Sequence, residues 1–233
     1  GHYDPEPDYF FHWLRDSAAV IGAVIELIDD GTLGDAGHAI VADFARFSLG
    51  LDGLDGRRLS DDPAYGSAVT DGARRYLRSR EDMAEVHGDR LRMEARFNPD
   101  GSLDIIRWGR PQLDGPAFRG LVLMQYADAY GASPDMAAII DGDVDFTLRH
   151  AGADGFDIWE ERRGGDYYTR SLQQALLAKA VARRGWGAYS AAMSASVERL
   201  DGMLNSHWSP ARNAYLATAH DGVPVYGVLP RCA

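Results

Sequence analysis

The stretch WLRDSAAVIGAVIELI, residues 13–28, decides the fold class. Val20, Val24, Leu27 and Ile28 recur at helical spacing, and Gly31 follows as a stop. The pattern returns from about Ala36 to Gly50, with Ile40, Val41, Phe44 and Phe47 on one face. It resumes from Pro116, which suits a first helical turn, to Tyr130, and again after Ser133-Pro134 through Arg149. Two more helices, about Tyr167 to Arg184 and Trp186 to Leu204, are split by Gly185. Between Gly50 and Gly115 the periodicity degrades into turn-rich segments such as Leu51 to Gly56 and Asn98 to Gly101, with a short helix expected over Tyr76 to Val86. Six principal helices with long irregular connections and no βαβ alternation make an all-α chain. Long loops between regular helices are where functional sites tend to sit.

With 45% hydrophobic and 25% charged residues, the 233-residue chain has enough apolar material for one substantial core. Its net charge of −11 argues against a nucleic-acid partner and against an anionic membrane surface, since both would be repelled. Neutral ligands such as sugars stay open. The single cysteine, Cys232, permits neither an internal disulfide framework nor a cysteine metal site. No apolar run approaches the roughly 20 residues of a membrane-spanning helix. The chain begins at Gly1 without a methionine and stops at Ala233, and both ends read as cuts.

Three clusters carry the chemistry. The first, Pro7 to Asp16, sets Tyr9, Phe10, Phe11 and Trp13 beside an Arg15-Asp16 pair at the mouth of an apolar helix. Aromatic faces stack on the C–H surfaces of sugars while fixed charged groups hydrogen-bond their hydroxyls. Taken alone, the same residues also describe a capping region with a structural ion pair. The second, Trp108 to Arg119, contains two glycines and two prolines that fix a non-helical path. There Asp114 and Arg119 read as groups that tie the chain down, and Trp108 as a sugar platform. The third, Gly155 to Glu161, crowds Asp157, Glu160 and Glu161 among aromatics. Repulsion and desolvation in such a group favour one protonated carboxyl, able to donate a proton to a leaving oxygen. A solvated acidic loop is the competing reading.

Other motifs point nowhere. The histidines have no metal-ligand spacing, so His87, His150 and His207 read as structural or surface groups. Ser60-Asp61-Asp62 and the Asp-Gly pairs read as turns, since the spaced oxygens of a calcium loop are absent. There is no Gly-rich phosphate loop and no G-x-S-x-G elbow.

In order, the clusters resemble glycoside hydrolase family 15, the glucoamylases and the neighbouring glucodextranase-like proteins. The matching stretches are PDYFFHWLRDSA (7–18), RFNPDGSLDIIRWGRPQLDGPAFR (96–119) and GFDIWEE (155–161) followed by YYTRSLQQALLAKA (167–180). The resemblance implies an (α/α)6 toroid of helical hairpins, of which this chain would be the N-terminal half of one catalytic domain, with the remaining half elsewhere in the full-length chain. It implies Glu160 as general acid, Glu161 as a contact to the second sugar, and Asp157 as an acidic residue tuning the pair. Arg15 and Asp16 would hold hydroxyls of the terminal glucose. Tyr9, Trp13, Trp108 and Trp159 would wall the pocket, and Arg110 would support it. Phe11 departs from the tyrosine of many fungal relatives. The implied substrate is an α-glucan, cleaved with inversion and with no cofactor or metal, in a secreted or periplasmic setting.

The family's general base is a glutamate beyond the last residue of this chain, and inversion needs it about 6.5–9.5 Å from the acid. Because glucoamylase-like regions also occur in regulatory subunits of phosphorylase kinase, the family resemblance also admits a non-catalytic sugar-binding or regulatory domain. A plain helical scaffold would leave the three clusters dispersed.

Overall fold

A computed structural model describes residues 10–183 and 189–218 of the chain. The expected break at Gly185, the site residue Tyr9 and Cys232 lie outside the described residues. The long helices are α1 (Leu14–Asp29), α2 (Gly34–Leu51), α6 (Asp114–Tyr130), α7 (Pro134–His150), α8 (Tyr167–Ala182) and α9 (Tyr189–Asn205). Three short ones, α3 (Gly56–Ser60), α4 (Arg80–Ala84) and α5 (Asp89–Arg92), lie in the irregular stretch between α2 and α6.

The long helices form three successive hairpins in two layers. The first members, α1, α6 and α8, pack side by side, and the second members, α2, α7 and α9, form the row behind them. Helix α1 buries Leu14, Ala18, Ile21, Ile25 and Ile28 along one stripe. Burying a side chain of this size fully stabilises by about 1.5–3 kcal/mol, so one such stripe suffices to dock the helix. Helix α6 is covered on several sides and buries residues all round, including Pro116, Ala117, Val122, Leu123 and Met124. A Cβ at Gly120 would come within 3.1 Å of both Asp143 and Leu176, so glycine eases the close approach of α6 to α7 and α8.

Charge is buried where the layers meet. Arg119 of α6 donates to Asp143 of α7 at 2.8 and 2.7 Å, and Arg92 bridges Asp143 to Asp52. The lone polar partners thus satisfy one another, as buried charges must. A second apolar cluster of Leu14, Leu51, Met83, Val86, Leu91, Phe97 and Leu103 underlies the irregular stretch.

The short helix expected over Tyr76 to Val86 is interrupted. Leu77 is extended and bridges Ile106, and Arg78 donates its N–H to Ile105, so pairing across the stretch outcompetes helix. Ser79 then caps α4 through its hydroxyl. Three two-residue ladders accompany the helices: β1 (His12–Trp13) with β2 (Arg96–Phe97), β3 (Gly155–Phe156) with β4 (Arg163–Gly164), and β5 (Trp208–Ser209) with β6 (Ala214–Tyr215). They are too short for a periodic signal, yet the first two position the site.

Candidate active site

Glu160 stands on the turn between β3 and β4. Its φ of +61° lies in the left-handed region, which costs a non-glycine residue about 1–2 kcal/mol. The turn is held from within. Asp157 Oδ1 accepts the backbone N–H of Glu161 at 2.9 Å and of Arg162 at 3.3 Å, while Glu160 N–H donates to the Asp157 carbonyl.

Three donors from two other segments meet the Glu160 side chain, which is 14% exposed. Trp13, on β1, donates its indole N–H to Oε1 at 3.1 Å. Gln112 donates to the same oxygen at 2.7 Å, and the Trp108 indole N–H donates to Oε2. Arg15 Nη2 lies 3.6 Å from Oε1. The loop carrying Trp108 and Gln112 is bound to the hairpin by Phe156 N–H donating to the Pro111 carbonyl at 2.8 Å. At Gly109 a Cβ would stand 2.9 Å from the Phe156 ring, so the close approach of loop and hairpin requires glycine.

Arg15 is the hub beneath. Its Nη1 donates to Asp114 and to Gln112, both at 3.1 Å, and its Nη2 lies 3.3 Å from Asp16. Burial works against the guanidinium charge, but Asp114, Asp16 and Glu160 outweigh it and hold Arg15 above the usual arginine range. Asp114 is buried, whereas Asp16 is open to solvent at the rim.

Behind the indoles runs a chain of ion pairs. Arg78 donates to Glu94, Arg110 pairs with both Glu94 and Asp104, and Arg96 donates to Asp104 at 2.9 Å. Arg96 lies over the rings of Phe11 and Trp108. Phe11 in turn meets Trp13 edge-on.

Of the site residues expected from sequence, Trp13, Arg15, Trp108 and Glu160 converge, with Asp16 at the rim. Asp157 acts on the turn rather than on the carboxylate. Arg110 sits one layer behind, against Glu94 and Asp104. Trp159, at 74% exposure, and Glu161 face solvent. Tyr9 is outside the described residues. Sequence reasoning missed Gln112 and Arg96 as site-building residues, although both stand in the quoted 96–119 stretch. Among the described residues no group of three or more His, Cys, Asp or Glu side chains is placed to hold a metal ion.

Residues 85–202, half of the chain, match the profile of "Glycosyl hydrolases family 15". The chain belongs to this family. A glucoamylase of Saccharomycopsis fibuligera is 26% identical over 194 residues, covering 75% of this chain and 33% of its own length. Glucoamylase-1 of Schizophyllum commune is 26% identical over 224 residues, covering 93% of this chain and 34% of its own. The chain spans about a third of the length of the curated relatives it matches. Among solved structures, the S. fibuligera glucoamylase superimposes with a TM-score of 0.71 at 22% identity, over 93% of this chain and 45% of that one. The family 15 glucoamylase of Hypocrea jecorina gives 0.70 at 22% identity, over 91% of this chain and 32% of that one. At that identity the likeness speaks for the fold. The family 15 chain is an open part of an (α/α)6 toroid, and its three described hairpins do not close a ring.

Proposed function

We propose that the full-length protein releases glucose from the non-reducing ends of α-glucans by a single inverting displacement, and that Glu160 is its general acid. Residues 1–233 form the N-terminal part of one catalytic domain on this reading. The observation that carries it is the Glu160 carboxylate, mostly buried on a left-handed turn and met by N–H donors from Trp13, Trp108 and Gln112. A site that maintains costly backbone geometry for one carboxylate is a candidate for chemistry at that carboxylate.

Each carboxyl oxygen has two lone-pair positions. Trp13 and Gln112 occupy those of Oε1, so the transferable proton belongs on Oε2, at the Trp108 edge. It passes to the glycosidic oxygen as the bond to the anomeric carbon breaks. A carboxylate from the rest of the domain, about 6.5–9.5 Å away, takes a proton from water attacking the opposite face. Arg15 and Asp16 anchor hydroxyls of the terminal glucose. Tyr9, Trp13, Trp108 and Trp159 supply stacking walls, Glu161 contacts the second sugar, and Arg110 supports the wall from behind. Without the second carboxylate the 233-residue chain is inactive by itself.

The test is Glu160→Gln in the full-length protein. It keeps shape and removes the proton, so turnover falls on the order of 10²–10⁴-fold while sugar binding persists. Proton NMR of the wild-type reaction checks inversion through the anomer released first. Near-normal turnover in Glu160→Gln overturns the assignment.

A further inference from the structure

We infer that Arg96 is a positioning residue for the proposed general acid: its guanidinium, held between Phe11 and Trp108, fixes the two indoles that donate to Glu160. The inference rests on the reading of Glu160 given above.

Arg96 is buried, with Cζ 3.9 Å from the centroid of the Phe11 ring and 4.0 Å from that of Trp108. The Trp13 ring centroid lies 5.3 Å away. A planar guanidinium stacks on aromatic faces in a way that the point charge of an ammonium does not. The backbone sets this geometry, because β1 and β2 pair Trp13 opposite Arg96 and His12 opposite Phe97. The head group is aimed by Asp104, which accepts from Arg96 Nε at 2.9 Å and also accepts the Ile106 N–H. Asp104 shares its charge with Arg110, so the aromatic faces are left to stabilise part of the Arg96 cation.

The consequence reaches the acid through two routes. Trp108 is 40% exposed, on a loop, and would otherwise be free to turn about its side-chain bonds. Stacked on Arg96, its N–H points at Glu160 Oε2, while Trp13, on the paired strand, points at Oε1. Phe11 also packs against the cation and meets Trp13 edge-on with ring centroids 5.7 Å apart. Arg96 touches neither Glu160 nor any position proposed for substrate hydroxyls. Its loss therefore misorients the acid and also loosens the proposed stacking walls Trp13 and Trp108, while the hydroxyl contacts proposed for Arg15 and Asp16 stay in place.

The experiment compares Arg96→Met, Arg96→Lys, Phe11→Leu and Glu160→Gln in the full-length protein, with kcat and KM on maltooligosaccharide and thermal melting for each. Methionine fills the slot, and Arg110 still pairs with Asp104. Arg96→Met is expected to lose kcat on the order of 10²-fold, the usual scale for a misplaced reacting group, a larger change than any accompanying rise in KM. Arg96→Lys restores at least about tenfold of that loss, because it returns a cation to the rings, and stays below wild type. A folded Arg96→Met with wild-type kcat overturns the inference, as does a loss that appears only in KM. If Arg96→Met does not fold, Arg96→Lys and Phe11→Leu decide: a lowered kcat in both supports the inference, and wild-type kcat in either overturns it. Collapse of Glu160→Gln beside an unaffected Arg96→Met removes the Arg96 role alone. An unaffected Glu160→Gln removes the acid assignment and this inference with it.

Discussion

Asp114 accepts from one nitrogen of Arg15 at 3.1 Å, while the other nitrogen of the same guanidinium lies 3.6 Å from Glu160. A carboxylate that never meets solvent therefore sets the angle of the cation beside the proposed acid. Asp114→Asn keeps the shape and weakens that hold. We expect kcat/KM of the full-length protein to fall on the order of 10²-fold. Asp114→Ala leaves the Arg15 charge without its buried partner and should cost about 3–5 kcal/mol in urea unfolding. A folded Asp114→Asn with wild-type kcat/KM would remove this role.

Asp157 offers a complementary case, in which the backbone rather than a charge is held. Its Oδ1 accepts the N–H groups of Glu161 and Arg162, and those bonds stabilise the left-handed turn at Glu160. Asp157→Ala removes both. Each such bond contributes about 0.5–1.5 kcal/mol, so global stability should drop by about 1–3 kcal/mol. The turn is expected to relax toward unstrained backbone, carrying the carboxylate off its three donors. Activity should then fall far more than stability does, a split readable from kcat and a thermal melt on the same sample.

The six long helices were legible from helical spacing, although Val20 and Leu27 of α1 and Ile40 of α2, which carry part of that spacing, are exposed, and α6 buries residues all round instead of along one stripe. The two-residue ladders were not, since a pair of residues has no period, and β1–β2 is what brings Trp13 to Arg96. Convergence of the clusters on Glu160 was likewise expected only from family resemblance. Asp114 and Arg119 illustrate the limit well. Both read as groups tying the chain down, and both are buried. Their partners differ, however: Arg119 grips Asp143 in the core, whereas Asp114 grips Arg15, which stands beside Glu160. Nothing in the local sequence distinguishes the two, because a partner 99 residues away leaves no trace in the spacing. Gln112 was overlooked for a related reason, as an amide acquires a role only from the groups it bridges.

His12, adjacent to Trp13, makes stability depend on pH. Burial, with help from the Arg119 charge, lowers its pKa from 6.5 to about 4. The unfolded chain thus takes up a proton near pH 6.5 that the folded chain refuses until about pH 4. Between those values the unfolded state binds more protons, so stability falls as the pH is lowered through that window. The shift corresponds to at most about 3 kcal/mol. His12→Phe should flatten the pH dependence of unfolding between pH 6.5 and 4. An unchanged slope in that window would place the acid sensitivity elsewhere.

The last expectation concerns the chain on its own. Helices α1 and α6 pack together, and α1 also packs on α2, but Val20 and Leu27 of α1 and Ile40 of α2 remain exposed, Val20 at 62%. In a toroid of six hairpins, an end hairpin of an open row has an edge that a neighbour would cover. Exposed apolar side chains such as these favour association with a complementary surface, including another copy. The isolated 233 residues are therefore expected to sediment as a concentration-dependent mixture of species. Placing lysine at Val20, Leu27 and Ile40 should shift that mixture toward monomer, because three charges would have to be desolvated at the contact. The substituted side chains face solvent, so melting of the monomer should move little. A wild-type chain that sediments as a single monomer at every concentration would mean that these side chains need no cover.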